Sequence, residues 1–164
     1  MNSYSIRKVT KDDIGKIVEI YNSNEKFLRN HLGYKSIDDS FINHELVEME
    51  TGDFLSCIIT DVHTADIIGV IDYKPDTTVY LSLIMIDKKY HKKGIGTLAY
   101  RLFEEEMLRL GKQSIRIDVV NDYEGNAVKF WENQGFIPQE QIKLNWGNKQ
   151  SNALVMLKAL FHNT

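Results

Sequence analysis

The stretch Tyr90 to Glu106, YHKKGIGTLAYRLFEEE, sets a histidine, two lysines and two glycines directly ahead of an amphipathic run. Residues of these types at the mouth of a helix make an anion site. The first backbone N–H groups of a helix have no internal acceptor, and the helix dipole adds partial positive charge at that end. Glycine lets an oxyanion approach the backbone, so Gly94 and Gly96, with Lys92 and Lys93 beside them, favour a phosphate or diphosphate. Spacing narrows the ligand. A Walker loop requires a glycine five residues before Gly-Lys-Ser/Thr, and the dinucleotide fingerprint a third glycine three after Gly96, where Ala99 stands. Alanine is sometimes tolerated at that place, but the fingerprint opens a series of parallel βαβ units, and an antiparallel pattern precedes this loop. A plain tight turn with a solvated lysine pair is the competing reading.

The loop needs a strand to end before it and a helix to start within it. Thr78 to Ile86, TVYLSLIMI, is apolar at both alternating sets of positions, as expected of a central strand covered on two faces. After Gly96, the residues Ala99, Leu102, Phe103, Met107 and Leu110 trace one helical stripe that stops at Gly111. Upstream, Tyr4 to Val9 alternates like a strand. Thr10 and Asp13 then form a capping box ahead of Ile14, Ile17, Val18 and Tyr21. Ser36 with Asp39 opens a second helix, with a ragged stripe, to about Met49. Phe54 to Thr60 and Asp66 to Tyr73 are β-branched runs joined by short turns, which makes an antiparallel meander with Thr78 to Ile86. Ser114 to Val120 is another strand, NAVKFWENQ a short helix ending at Gly135, and the tail a closing hairpin. The expected class is α/β: a mixed, mostly antiparallel sheet of six to seven strands flanked by about four helices.

Composition sets the limits. A chain of 164 residues, 43% hydrophobic, with two prolines and no low-complexity tract, reads as one domain over residues 1–164. Twenty basic against twenty-three acidic residues, a net charge of −3, leave no surplus for nucleic acid. No apolar run reaches membrane-span length, and the first ten residues lack a signal-peptide core, so the expected location is cytoplasmic, with no membrane partner. Cys57 is the sole cysteine, which fits a reducing compartment and leaves no Cys/His zinc spacing. His31, His44, His63 and His162 share no metal-ligand spacing and read as surface residues, so no metal is expected.

YHKKGIG resembles the acyl-CoA loop of the GNAT N-acetyltransferase superfamily, Arg or Gln followed by x-x-Gly-x-Gly/Ala, with His91 at the first position and Gly94 and Gly96 matching. NAVKFWENQGF resembles that family's Asn-x-x-x-Phe-Tyr-x-x-x-Gly-Phe segment through Asn126, Ala127, Phe130, Gly135 and Phe136. The order of elements agrees over essentially the whole chain. The resemblance implies acetyl transfer from acetyl-CoA to a primary amine by direct attack in a ternary complex. It implies that main-chain amides across Lys92, Lys93, Gly94, Gly96 and Thr97 hold the CoA diphosphate, that Ile84, Met85 and Ile86 lend main-chain groups to the pantetheine arm, and that Asn126 bonds the cofactor. Asn126 also reads as a helix cap, and His91 as a surface residue in place of a longer cation, whose titration would make cofactor affinity pH-dependent.

Catalysis is where the pattern departs. In many family members the tyrosine after the phenylalanine protonates the CoA thiolate; here that position is Trp131, whose indole donates a hydrogen bond but no acidic proton. Trp131 is expected beside the thiol end of the cofactor. Tyr123 as acid, a thiolate leaving unaided, or a catalytically silent acyl-CoA-binding or regulatory domain all remain open. For the base, Asp72 and Asp118 lie on adjacent strands, where each is either a base or a solvated edge residue, their direction not being set by the sequence; Tyr80 and Ser82 offer no carboxylate, and Cys57 reads as core. Glu25, Phe27, Tyr34 and Trp146 either line a pocket for a cationic amine, small molecule or peptide, or serve ordinary packing. The oligomeric state has no sequence signal.

Overall fold

The computed structural model describes residues 3–161; the expectation for His162 lies outside them. Its strands are β1 (Tyr4–Lys8), β2 (Leu55–Asp61), β3 (Ile67–Lys74), β4 (Thr78–Ile86), β5 (Ser114–Val120), β6 (Ile137–Trp146) and β7 (Lys149–Ala159). They form one sheet in the order β1-β2-β3-β4-β5-β7-β6, antiparallel throughout except for the parallel pair β4–β5. The helices are α1 (Ile14–Ser23), α2 (Glu25–Phe27), α3 (Asp39–Thr51), α4 (Ile95–Arg109) and α5 (Val128–Asn133). α2 is one turn and runs into a π-helical turn over Leu28–Leu32, an element that sequence periodicity does not announce. The mixed, mostly antiparallel sheet with flanking helices is the architecture expected from the sequence.

The Thr10–Asp13 box caps a 3-10 turn that leads into α1, and the Arg7 guanidinium grips both Asp13 oxygens at 2.8 and 2.9 Å. α3 starts differently from the expectation. Its cap is Asp38, whose side chain accepts from the Phe41 N–H at 2.9 Å, because a cap oxygen must reach a donor two or three residues ahead and Ser36 sits too far upstream. α4 begins at Ile95, and its end is closed as expected by Gly111, at φ +75°, with Lys112 N–H reaching the Met107 carbonyl at 3.0 Å.

Apolar alternation splits the core across the sheet. Tyr100, Phe103 and Met107 of α4 and Trp131 of α5 pack on one face; Ile17, Ile20 and Tyr21 of α1, Leu28 and Ile42 pack on the other. Each fully buried aliphatic or aromatic side chain stabilises the fold by about 1.5–3 kcal/mol, so β4, which gives Val79, Leu81 and Ile86 to one cluster and Leu83 and Met85 to the other, is firmly anchored, as are β2 and β3 through smaller sets in both.

One irregularity opens the sheet. β4 and β5 pair only from Thr78↔Ser114 to Tyr80↔Arg116, although they run on to Ile86 and Val120. The β3–β4 register jumps from Tyr73↔Leu81 to Asp72↔Leu83, leaving Ser82 as an extra residue, and such a bulge bends its strand. At the fork the Tyr80 hydroxyl donates to Asp118 Oδ2 at 2.9 Å, which ties the two strands together where their ladder stops.

Candidate active site

The loop between β4 and α4 is built by local bonds. Asp87 accepts from Lys89 N–H at 3.1 Å and starts a 3-10 turn over Lys88–Tyr90. His91 Nε2 then donates back to the Ile86 carbonyl at 2.8 Å, and Asn24 Nδ2 donates to the same oxygen at 3.0 Å. Lys92 and Gly94 take left-handed backbone, φ +61° and +73°. For a lysine this is strained by roughly 1–3 kcal/mol, a cost that concentrates at functional turns. The first N–H to bond within α4 is that of Leu98, to Gly94 O at 3.1 Å, so the amides of Ile95, Gly96 and Thr97 have no helical acceptor. A Cβ on Gly96 would find nothing nearer than the Phe130 ring at 3.9 Å, and Ile95, Gly96 and Thr97 all border open space.

A cavity of about 530 Å³ lies against them. Ile84, Met85 and Ile86 line one wall, His91, Lys92, Gly94, Gly96 and Thr97 another, and Phe130 and Trp131 a third. Lys93 is not part of this lining; its ammonium stands 6.0 Å from the centre of the Tyr90 ring. Asn126 is also outside. Its Nδ2 donates to the Tyr123 carbonyl at 2.8 Å and its Oδ1 accepts from Val128 N–H at 3.1 Å, so the whole amide is committed to shaping the turn into α5.

Strand alternation shows what the β4 wall offers. Asp87 N–H points toward β3, bonding Ile68 O at 2.8 Å, and Met85 O lies 2.6 Å from where a Cβ on Gly69 would stand. Met85 therefore turns its backbone to β3, and Ile84 and Ile86 turn theirs to the side that β5 has vacated. Ile86 C=O is taken by Asn24 and His91. The Ile84 backbone and Ile86 N–H remain as a strand edge facing the cleft, able to pair with an extended, amide-bearing arm. The residues present thus fit an acyl-CoA: amides for a diphosphate, an open edge for pantetheine, and an aromatic wall at Trp131.

The second cavity, about 460 Å³, fills the fork itself and shares Phe27, Ile84, Ala127 and Trp131 with the first. Asp72 forms its floor. The residue is 4% exposed, its Oδ1 accepts from Ser56 Oγ at 2.5 Å, and its Oδ2 has no partner among the described residues and is open to the cavity. Burial pushes its carboxyl up to about 7, against the help of the Ser56 hydrogen bond and with a further push from Glu45. Asp118 is spoken for differently, bonded by Arg116 at 2.9 and 3.1 Å and by Tyr80. Trp146 Nε1 donates to Glu45 Oε1 at 3.1 Å.

Several expectations for this pocket need correction. Phe27 and Trp146 line it, but Glu25 is exposed beside Arg29, and Tyr34 packs edge-on to Phe41 instead. His31 is no surface residue: it stacks on Phe27 at 3.9 Å, bonds the Phe27 carbonyl through Nδ1 at 3.1 Å, and burial lowers its pKa to about 4, which keeps it neutral. Cys57 is core, its thiol pushed up by burial to about 11 and useless as a nucleophile. Sequence reading missed Glu45, Glu48 and Phe54. The signal for the two glutamates was the ragged stripe of α3, where Glu45 and Glu48 fall three apart on one face that a buried helix would not charge.

The sequence model of the Acetyltransferase (GNAT) family matches residues 16–136, most of the chain. The chain belongs to the GNAT family. No protein of curated function matches this GNAT chain in sequence. Its fold is similar to the Salmonella typhimurium acetyl transferase that modifies the N-terminal serine of ribosomal protein L7/L12, with TM-score 0.77, 11% identity and coverage of 98% and 97% of the two chains. It is similar to the spermidine N-acetyltransferase of Vibrio cholerae in complex with CoA and spermine, with TM-score 0.73, 14% identity and 96% and 95% coverage. It is also similar to the ribosomal-protein-S5-alanine acetyltransferase of Vibrio fischeri, with TM-score 0.71, 18% identity and 97% and 94% coverage. At such identities the likeness to each is one of fold. Among the described residues no helix of this GNAT chain is long and apolar enough to cross a membrane, and no cluster of three His, Cys, Asp or Glu is placed to hold a metal.

Proposed function

We propose that the protein transfers an acetyl group from acetyl-CoA to a primary amine by direct attack, with Asp72 as general base. The observation that carries this reading is the meeting of two cavities at Ile84 and Trp131, one walled by free helix amides and an unpaired strand edge, the other floored by a buried carboxylate. The diphosphate would sit on the amides of Ile95, Gly96 and Thr97, with Lys92 nearby, and the thioester would lie at the junction. An ammonium entering from the fork side loses a proton to Asp72 Oδ2. The amine nitrogen then bonds the thioester carbon, the C–S bond breaks to release CoA thiolate, and the second proton that the nitrogen must shed passes to that thiolate, leaving the neutral amide and CoA thiol. The lone, buried Cys57 thiol and the family's cofactor fit a cytoplasmic setting.

Tyr123 lines the acceptor cavity but is a poor acid there. Burial and the nearby Asp122 raise its hydroxyl above the ordinary tyrosine value, while a thiolate with reference pKa near ~8.5 leaves without a proton. Loss of a true general acid costs about 10²–10⁴-fold, whereas Tyr123→Phe is expected to keep kcat within about threefold. A hundredfold fall in single-turnover rate would instead make Tyr123 the acid.

Trp131, in place of an acidic tyrosine, favours a second reading: a silent acyl-CoA-binding domain. Thermal shift and thiol release separate the two. Acetyl-CoA at about 100 times its Kd should stabilise the protein by about 2.7 kcal/mol, roughly 5–10 °C for a chain of this size, with NAD and ATP giving far less. A larger shift with NAD would overturn the loop assignment. Binding without thiol release for any amine, at any pH, would select the silent domain.

A further inference from the structure

The acceptor cavity is charged in one direction. Asp72, Asp118, Glu45 and Glu48 all line it, and no described lysine or arginine does. Asp118 is offset by Arg116 from outside the lining, and His31 is neutral, so Asp72, Glu45 and Glu48 have no compensating cation in the cavity. The three stand at different depths. Asp72 lies opposite Leu83, one residue from Ile84, where the two cavities join. Glu45 and Glu48 project from neighbouring turns of α3 and line the acceptor cavity alone, not the one against the loop. Between them, Phe54, Tyr80 and Trp146 offer aromatic faces, which suit both methylene groups and an ammonium.

We infer that the acceptor is a linear amine with a second cationic group, its reacting nitrogen beside Asp72 and its distal ammonium held between Glu45 and Glu48. The inference rests on the proposed transfer reaction for the identity of the reacting end. Its physical basis is separate: a half-enclosed site of about 460 Å³, carrying unpaired negative charge and aromatic walls, is filled at least cost by a slender dication. Asp72 is 4% exposed with an oxygen open to the cavity, a group that a ligand donor would satisfy. A single-charge amine of equal length leaves the α3 carboxylates unanswered.

Calorimetry on the full chain with 1,6-diaminohexane and hexylamine tests this without requiring turnover. The diamine should bind roughly 30-fold more tightly, as expected of one added charge-assisted contact, and more weakly as salt is raised. In Glu45→Gln/Glu48→Gln, both at partly or fully exposed helix positions, the preference should fall to near one. Equal affinity of the two amines, no binding of either, or an undiminished preference in the double variant overturns the inference. Turnover confined to peptide N-termini, with no diamine binding, does the same. Diamine binding without acetyl transfer would leave the inference standing and sink the catalytic reading, whereas equal turnover and equal affinity for the two amines would do the reverse.

Discussion

Asp72→Asn is expected to lower kcat with any amine acceptor by about 10²–10⁴-fold, the usual contribution of a positioned base. The asparagine keeps the size and a polar contact with Ser56 but cannot take a proton. In the native protein the rate should rise with pH through about 7 and then level, since the carboxylate form is the active one and burial holds its pKa there. The variant should lose that limb. The groups that face Asp72 and bear on this titration are Ser56 and Cys57 on β2, Glu45 on α3 and Tyr21 on α1.

The same shift has a signature in stability. A carboxyl whose pKa is raised in the fold holds its proton longer there than in the unfolded chain. Its stabilising effect is therefore complete at acid pH, below the ordinary value of 3.8, and is lost as pH climbs through about 7. The span corresponds to roughly 4 kcal/mol. Asparagine carries no such dependence, so the melting temperature of Asp72→Asn relative to the native protein should improve between pH 4 and pH 8. A variant with native kcat at every pH removes Asp72 from the reaction, and a pH-independent melting difference shows that its carboxyl is not held near neutrality.

Gly96→Val should raise the Kd for acetyl-CoA by at least about 100-fold, equivalent to ~2.7 kcal/mol, while the apo protein melts within a few degrees of native. The site allows a clean test. Gly96 is in the helical region, and a Cβ there meets only the Phe130 ring at 3.9 Å, so the branched side chain stands in the space in front of the free amides. Valine is also a slightly better helix residue than glycine, by a few tenths of a kcal/mol. Gly94 would be the poorer choice, because at φ +73° a branched residue strains the backbone and confounds binding with folding. Measured by calorimetry, an unchanged Kd in Gly96→Val would place the diphosphate elsewhere.

The sequence by itself determined most of the secondary structure and the glycine loop proposed to hold the diphosphate. The period-two runs, the capping box at Thr10–Asp13, the stripe from Ala99 to Leu110 and the glycines of the loop are local signals, set by steric and hydrogen-bonding rules that act within a few residues. They were enough to place a strand end near Ile86 and a helix start at Gly96, one residue past the Ile95 at which α4 begins. What tertiary structure alone decided is the acceptor side. β3 is apolar on both faces, so alternation could not say which way Asp72 points, and the extra residue at Ser82 that splays β4 from β5 is visible only in the register of paired strands. Asp72 and Glu45 are 27 residues apart in the chain and meet only because α3 folds across the β3 face. Charge in a cavity is a property of which groups lack a partner in three dimensions, and a linear order of residues does not contain that information.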